Sequence, residues 1–207
     1  MAPLGTDEDR DDDAFQPRWE LLGDTPRALG SVTLDLNHLL HRAHPWKAHG
    51  VFGQEDFTEL TEAGALEGRA ELLLDARPVR QEGRLIARVR GFCRATLRLT
   101  CVRCLVDFSA PLEAEIDAAF AVGSDPAVKN KNWRFEEDVE YLPDGVLTLS
   151  HLVEEELLLT LPMNPVCFSG CAGLCAGCGA DLNRAPCTCR ASEPQGPFAA
   201  LKSLRST

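Results

Sequence analysis

Eight of the nine cysteines fall into four close pairs, and thiols at such spacing are the residues here best placed to do chemistry. Cys101-Val-Arg-Cys104 and Cys175-Ala-Gly-Cys178 leave two residues between sulfurs, which lets both approach one ion from a tight turn. Cys167-x3-Cys171 and Cys187-x-Cys189 supply two further pairs. Thiolates are soft ligands that favour zinc or an iron–sulfur cluster over magnesium or calcium. Structural zinc takes four sulfur or imidazole donors in a tetrahedron, so the paired cysteines complete two closed sites with no position left for water or substrate. The expected partition puts Cys101, Cys104, Cys167 and Cys171 around one zinc ion, and Cys175, Cys178, Cys187 and Cys189 around a second. Spacing alone leaves a one-ion arrangement open, a two-knuckle ribbon of Cys101 and Cys104 with Cys175 and Cys178. Gly173 and Gly179 flank the third pair, where a backbone folding round a metal needs freedom in φ.

Other chemistries fit these residues less well. Cys93 stands apart from the pairs and reads as a small core residue. A reducing compartment and an odd cysteine count both argue against a disulfide framework. Neither Cys-x-x-Cys follows the βαβ pattern of a thioredoxin-like redox pair. The zinc-deaminase signature H-x-E…P-C-x-x-C is absent: His151 and Glu154 are wrongly spaced, and Pro186 precedes a Cys-x-Cys. No catalytic residue, enzymatic activity or small-molecule substrate is expected. His38, His41 and His44 read as polar surface, and Trp19, Trp46 and Trp133 as partly buried core rather than a base-stacking platform.

The 207-residue chain carries a formal net charge of −11, which argues against indiscriminate phosphate binding. The charge is segregated, however. From Arg69 to Arg103 nine arginines face three carboxylates, a local balance of +6. No apolar run approaches the roughly 20 residues of a membrane span, and the N-terminus is acidic rather than signal-like. The expectation is a cytoplasmic protein with no membrane partner.

The elements that must position the cysteines are legible in the apolar pattern. The fold class expected is α+β: an antiparallel β-meander packed with a helix, plus a C-terminal cysteine-rich zinc-binding segment. Residues 1–18 read as a disordered acidic tail, and residues 19–68 as a strand and loop region. Within the latter, SVTLDLNHLL fits a strand or a short helix, and residues 44–68 read as irregular connections. The core sheet and helix should occupy residues 69–166. AELLLDARPV and RLIARV form a hairpin about Gln81-Glu82-Gly83. From Leu85 to Cys101 the alternation is nearly strict, which predicts a half-buried strand with a bend or bulge at Gly91. PLEAEIDAAF alternates again, and Val122–Lys131 reads as a loop. Thr148 should cap a helix to about Leu161, with Leu149, Leu152, Val153 and Leu157 as its apolar stripe and Glu154, Glu155 and Glu156 on its polar side. Residues 167–190 form the cysteine-rich segment, and residues 191–207 a short helix opening at Pro197.

Taken in order, CVRCL, LTLSHLVEEELLLTLP, PVCFSGCAGLCAGCGADLNRAPCTC and PFAALKSL resemble the YceD family, the large ribosomal RNA subunit accumulation proteins. The resemblance runs roughly from Arg69 to Leu204 and is most specific in GLCAGCGADLN with its trailing Cys-x-Cys. It implies a non-enzymatic bacterial or plastid-type factor in large ribosomal subunit biogenesis, needed for normal accumulation of the rRNA. Its partner would be the large-subunit precursor, through rRNA or a ribosomal protein. Some members keep the first Cys-x-x-Cys and lack the later cluster, which implies two separable metal sites. An Asp more often stands where this chain has Thr148. The alternative is a zinc-stabilised protein–protein or thiol redox-sensing module that does not touch RNA.

The resemblance makes the arginine stripe the RNA-facing candidate. Arg84, Arg88, Arg90, Arg94 and Arg98 share one strand face, alternate residues standing about 7 Å apart, and guanidinium suits phosphate. A structural reading competes. Folding the next hairpin about residues 105–106 sets Arg98 opposite Glu113, Thr96 opposite Glu115 and Arg94 opposite Asp117. Such a ladder is worth roughly 0.2–1 kcal/mol per pair and leaves Arg84, Arg88 and Arg90 available.

Overall fold

The computed structural model describes residues 27–42, 44–81, 83–123 and 139–189. The expected acidic tail, most of the loop after Val122, the C-terminal helix, Trp19 and Trp133 lie outside them. The chain divides into two compact units, one of residues 1–98 with 109–161, the other of residues 99–108 with 162–207.

The first unit is built on a seven-stranded sheet. Its strands are β1 (Arg27–Ala28), β3 (Trp46–Phe52), β5 (Ala70–Gln81), β6 (Arg84–Thr100), β7 (Asp107–Val122) and β8 (Val139–Leu142) in that spatial order, with β4 (Ala65–Leu66) also paired to β6. β3, β5 and β6 pair antiparallel, while β1 on β3 and β8 on β7 are parallel. The sheet is therefore mixed rather than purely an antiparallel meander. A separate two-stranded ribbon joins β2 (Thr33–Asp35) to β9 (Val146–Thr148). Among the described residues the unit also holds the helices α1 (Leu36–Leu40), α2 (Glu59–Ala63) and α3 (Leu149–Thr160).

Period-two alternation decides which sheet face is buried. Val89, Cys93, Ala95 and Leu97 of β6 are buried, as are Leu72, Leu74 and Ala76 of β5 and Leu112, Ala114 and Ile116 of β7. Leu36 and Leu39 of α1, Leu60 of α2 and Leu149, Leu152, Val153 and Leu157 of α3 are buried with them. The helical stripe of α3 matches that expected from the sequence. Its Thr148 occupies the N-cap position but makes no side-chain cap hydrogen bond. The first helical amide instead donates from Leu149 to the Val32 carbonyl at 3.2 Å.

Two stretches differ from expectation. SVTLDLNHLL is both strand and helix, because Asp35 ends β2 and caps α1 by accepting from the His38 amide at 3.2 Å. Residues 44–68 contain β3, a 3-10 turn at Gln54–Asp56, α2 and β4 rather than irregular chain. β3 is hard to read because Gly50, Val51 and Phe52 are consecutively buried, so alternation fails; pairing with seven residues of β5 defines it.

Gly91 marks no bulge in the pairing with β5, which stays in register from Gln81–Arg84 to Glu71–Arg94. It marks a close approach, since a Cβ there would collide with the Leu73 carbonyl oxygen. Gly91→Ala should therefore destabilise the chain by about 1–3 kcal/mol through overpacking against backbone that cannot rotate away. Denaturant titration checks this; an unchanged midpoint at unchanged slope would show that β5 and β6 can part to admit a methyl.

Candidate metal centres

The second unit begins where the β6–β7 hairpin turns. The Cys101 amide donates to the Val106 carbonyl at 3.0 Å and the Leu105 amide to the Cys101 carbonyl at 2.9 Å, so the turn spans residues 102–105. The expected fold about residues 105–106 is thus displaced. The Cys-x-x-Cys knuckle puts Val102, Arg103 and Cys104 with Leu105 in the turn, and this resets the ladder above it. Thr100 donates to Asp107 at 2.8 Å just behind the knuckle.

Within this unit the eight paired cysteines gather into two groups, Cys101, Cys104, Cys167 and Cys171, and Cys175, Cys178, Cys187 and Cys189. In each group the four sulfurs lie within 4.8 Å of one another. Cys104 and Cys167 stand 3.6 Å apart, Cys101 and Cys171 3.9 Å, and Cys178 and Cys187 3.4 Å. A zinc tetrahedron with bonds of about 2.3 Å has edges of about 3.8 Å. The donor sets therefore fit a divalent ion of that size, and the grouping is the two-site partition rather than the single shared ribbon.

The groups differ in burial. Cys101, Cys104 and Cys171 are buried beside Phe108, Val166 and Leu174. In the second group Cys178 and Cys189 are exposed and Cys175 and Cys187 half-buried. Gly173 and Gly179 both adopt left-handed φ, +75° and +74°. The first lets the Leu174 amide reach the Arg103 carbonyl at 3.0 Å; the second closes the Cys175 turn, donating to the Cys175 carbonyl at 2.8 Å.

The thiols are electrostatically uneven. Burial raises Cys101, but the amides of Cys104, Cys167 and Arg103 aimed at its sulfur outweigh it and bring the thiol down to about 6. Cys167 is pushed up to about 12, first by burial and then by neighbouring sulfurs. Amides of Gly177 and Cys178 bring Cys175 down to about 7. In Cys187 the amide of Cys189 favours the thiolate, yet the surrounding sulfurs together push it up to about 12. Four sulfurs this close cannot all ionise unless a cation stands between them.

Cys93, by contrast, is buried in the sheet core, and its thiol is raised to about 12 by that burial with the Glu156 charge adding. It belongs to neither group.

Two neighbours of the first group carried no signal in the spacing of cysteines. Asn183 donates to the Cys171 sulfur at 3.5 Å and to Asp181 at 2.8 Å, while its oxygen accepts from the Ala172 amide at 2.7 Å. Arg103 donates to the Cys171 carbonyl at 2.9 Å. The GADLN run that follows Cys178 contains Asn183 and was the only hint.

The arginine stripe lies in the first unit. Arg88 and Arg90 approach Asp117 at 2.6 and 3.5 Å, Arg94 approaches Glu71 at 2.6 Å and Arg98 approaches Glu67 at 2.7 Å. Arg84 is engaged as well. The partners expected for Arg94 and Arg98 were Asp117 and Glu113; the knuckle's register shift and the carboxylates of β5 and the β4 segment replace them. The Asp117 carboxyl is held below its ordinary range, chiefly by the Arg88 hydrogen bond. His38, His41 and His44 are exposed and Trp46 half-buried.

The family model for "Large ribosomal RNA subunit accumulation protein YceD" matches residues 89–205, more than half of the chain. The chain belongs to the YceD family. The YceD match covers both cysteine groups. An uncharacterized protein of Mycobacterium leprae is 32% identical over 94 residues, covering 45% of this chain and 42% of that protein. The chloroplastic large ribosomal RNA subunit accumulation protein YCED homolog 1 of Arabidopsis thaliana is 28% identical over 141 residues, 57% of this chain and 44% of the relative. The Zea mays protein of the same name is 28% identical over 157 residues, 62% and 52%. The chain thus spans about half the length of the curated relatives it matches. No solved structure matches it. No helix among the described residues is long and apolar enough to cross a membrane.

Proposed function

We propose that this YceD protein is a non-catalytic factor in large ribosomal subunit biogenesis whose second unit is held together by two structural zinc ions. The observation that carries the metal is the convergence of eight sulfurs into two four-membered groups of tetrahedral size. The family and the names of the plant relatives support the ribosomal role. Cys101, Cys104, Cys167 and Cys171 would hold one ion and Cys175, Cys178, Cys187 and Cys189 the other. Four thiolates fill each coordination shell, so the ions serve folding. The paired guanidiniums of the sheet favour a structural ladder over phosphate binding, since a phosphate must displace an ion pair already made.

Metal analysis of anaerobically purified chain should return two zinc ions per molecule, and depletion of the protein in cells should lower large-subunit rRNA relative to small-subunit rRNA. A metal-free protein would end the first claim, and an unchanged rRNA ratio the second. Because Cys178 and Cys189 are exposed, a thiol redox role for the second group has some support. It requires that mild peroxide release one ion per chain and change partner binding.

Asn183 is expected to tune the first site. Its N–H offsets charge on the Cys171 sulfur, so Asn183→Ala should weaken metal retention there by roughly 10–100-fold, the usual effect of losing a group that orients a ligand. Competition against a chromophoric chelator reads this out. Equal retention by the variant would make the contact incidental.

A further inference from the structure

Nine large apolar side chains are exposed among the described residues, and five of them, Val102, Leu105, Val106, Met163 and Phe168, belong to the second unit. That unit holds only 38 of the 146 described residues, so apolar exposure is concentrated there. The five also share a neighbourhood. Val102, Leu105 and Val106 form the knuckle's tip, and the Val102 amide donates to the Pro165 carbonyl at 2.9 Å, two residues beyond Met163. Phe168 follows Cys167, whose sulfur stands 3.6 Å from that of Cys104.

Leu105 supplies a second observation. It is the one non-glycine residue in the described chain with positive φ, +59°, a conformation that glycine or asparagine adopts more cheaply. The residue is 64% exposed, so packing gives no reason for a leucine there. A strained backbone position thus presents a large apolar group to the outside.

Charge then selects the partner. The charged side chains described in this unit are Arg103, Asp107, Asp181 and Arg184, with no lysine. Arg103 is committed to the Cys171 carbonyl, and Arg184 lies 3.4 Å from Asp181. A divalent ion with four thiolates leaves about −2 at each site. Such a face repels phosphate and complements a polypeptide whose apolar anchors are flanked by lysine or arginine.

We propose that the knuckle face formed by Val102, Leu105, Val106, Met163 and Phe168 docks a basic polypeptide segment. This deepens the biogenesis reading by assigning the contact to protein rather than RNA, and its charge argument rests on the two metal sites.

The test places a photo-crosslinking benzoylphenylalanine at Leu105, and separately at Phe168, in the full chain in cells, with Val79 on β5 as an exposed control. Adducts at both knuckle positions and none at Val79 are expected, mapped by mass spectrometry to polypeptide segments of net positive charge. Leu105→Asp should lower the Phe168 adduct at least roughly tenfold, as loss of a central anchor does. A synthetic peptide of the mapped segment should bind the purified chain and weaken with salt. Nuclease-sensitive RNA adducts, crosslinks to a second copy, acidic partner segments or no adduct at either position would overturn the proposal. Metal content of the same preparations is read separately. Adducts to basic segments from metal-free protein would sustain the surface while refuting the zinc reading, and two bound ions without adducts would do the reverse.

Discussion

Cys104→Ser is expected to remove one metal ion per chain and to unpack the buried part of the second unit around Phe108, Val166 and Leu174. Cys178→Ser should also remove one ion but leave the first site loaded. The first group joins residues 101–104 to residues 167–171, so its ion replaces covalent connection between segments far apart in the chain. It is also buried with Phe108, Val166 and Leu174, which lose their packing when the sulfurs part. The second group draws all its ligands from residues 175–189 and is largely exposed. A structural zinc contributes apparent free energy of about 10–16 kcal/mol, most of it felt as folding. Losing one thiolate of four forfeits a large share at the buried site, where a serine hydroxyl leaves thiolate charge uncompensated. Metal stoichiometry with limited proteolysis of the cysteine-rich segment measures both effects. Retention of two ions by Cys104→Ser, or equal proteolytic sensitivity of the two variants, would contradict the hierarchy. Chelator added to the parent protein should likewise strip the second ion first.

That hierarchy was partly visible in the residues. The pairs announced themselves by spacing, and the regular strand of β6 announced itself by alternation, because one face is wholly apolar and the other carries arginine. What spacing could not supply was burial. Nothing in Cys175-x2-Cys178 distinguishes an exposed knuckle from the buried Cys101-x2-Cys104. The arginine partners differ from the expected ladder for a related reason. Register in a hairpin follows turn geometry, and the turn at residues 102–105 is dictated by the cysteines, not by the charges on the strands. The turn's position moves Asp117 to Arg88 and Arg90, while Arg94 pairs with Glu71, its cross-strand neighbour on β5, and Arg98 with Glu67 beyond β4, carboxylates that lie outside the β6–β7 hairpin. β3 escaped notice because both its ends and its faces break alternation, so only its partner strand reveals it.

Glu154 departs furthest from its sequence pattern, and it carries the second large expected effect. Its place among three successive glutamates suggested solvent, yet it is only 7% exposed. Its carboxylate accepts from the Thr58 amide at 2.7 Å and the Leu60 amide at 2.9 Å, across 96 and 94 residues of sequence. Those amides open α2, whose Thr58 N-cap makes no side-chain hydrogen bond of its own. A glutamate of α3 therefore caps a neighbouring helix, and it does so beside Leu60 and Phe57, both buried. Glu154→Ala removes two charge-assisted bonds and leaves two amides without an acceptor in an apolar setting, at a cost of about 3–5 kcal/mol. Glu154→Gln keeps an acceptor oxygen but loses the charge, so it should lie between the parent and the alanine variant. Urea denaturation of the three proteins, at matched metal loading, orders them. An alanine variant within 1 kcal/mol of the parent would mean that water can take over both amides, and that α2 is held by Leu60 alone. The order Ala below Gln below Glu is the result this geometry requires, because each step removes one of the two things the site supplies: an acceptor for each amide, and the negative charge that strengthens both bonds.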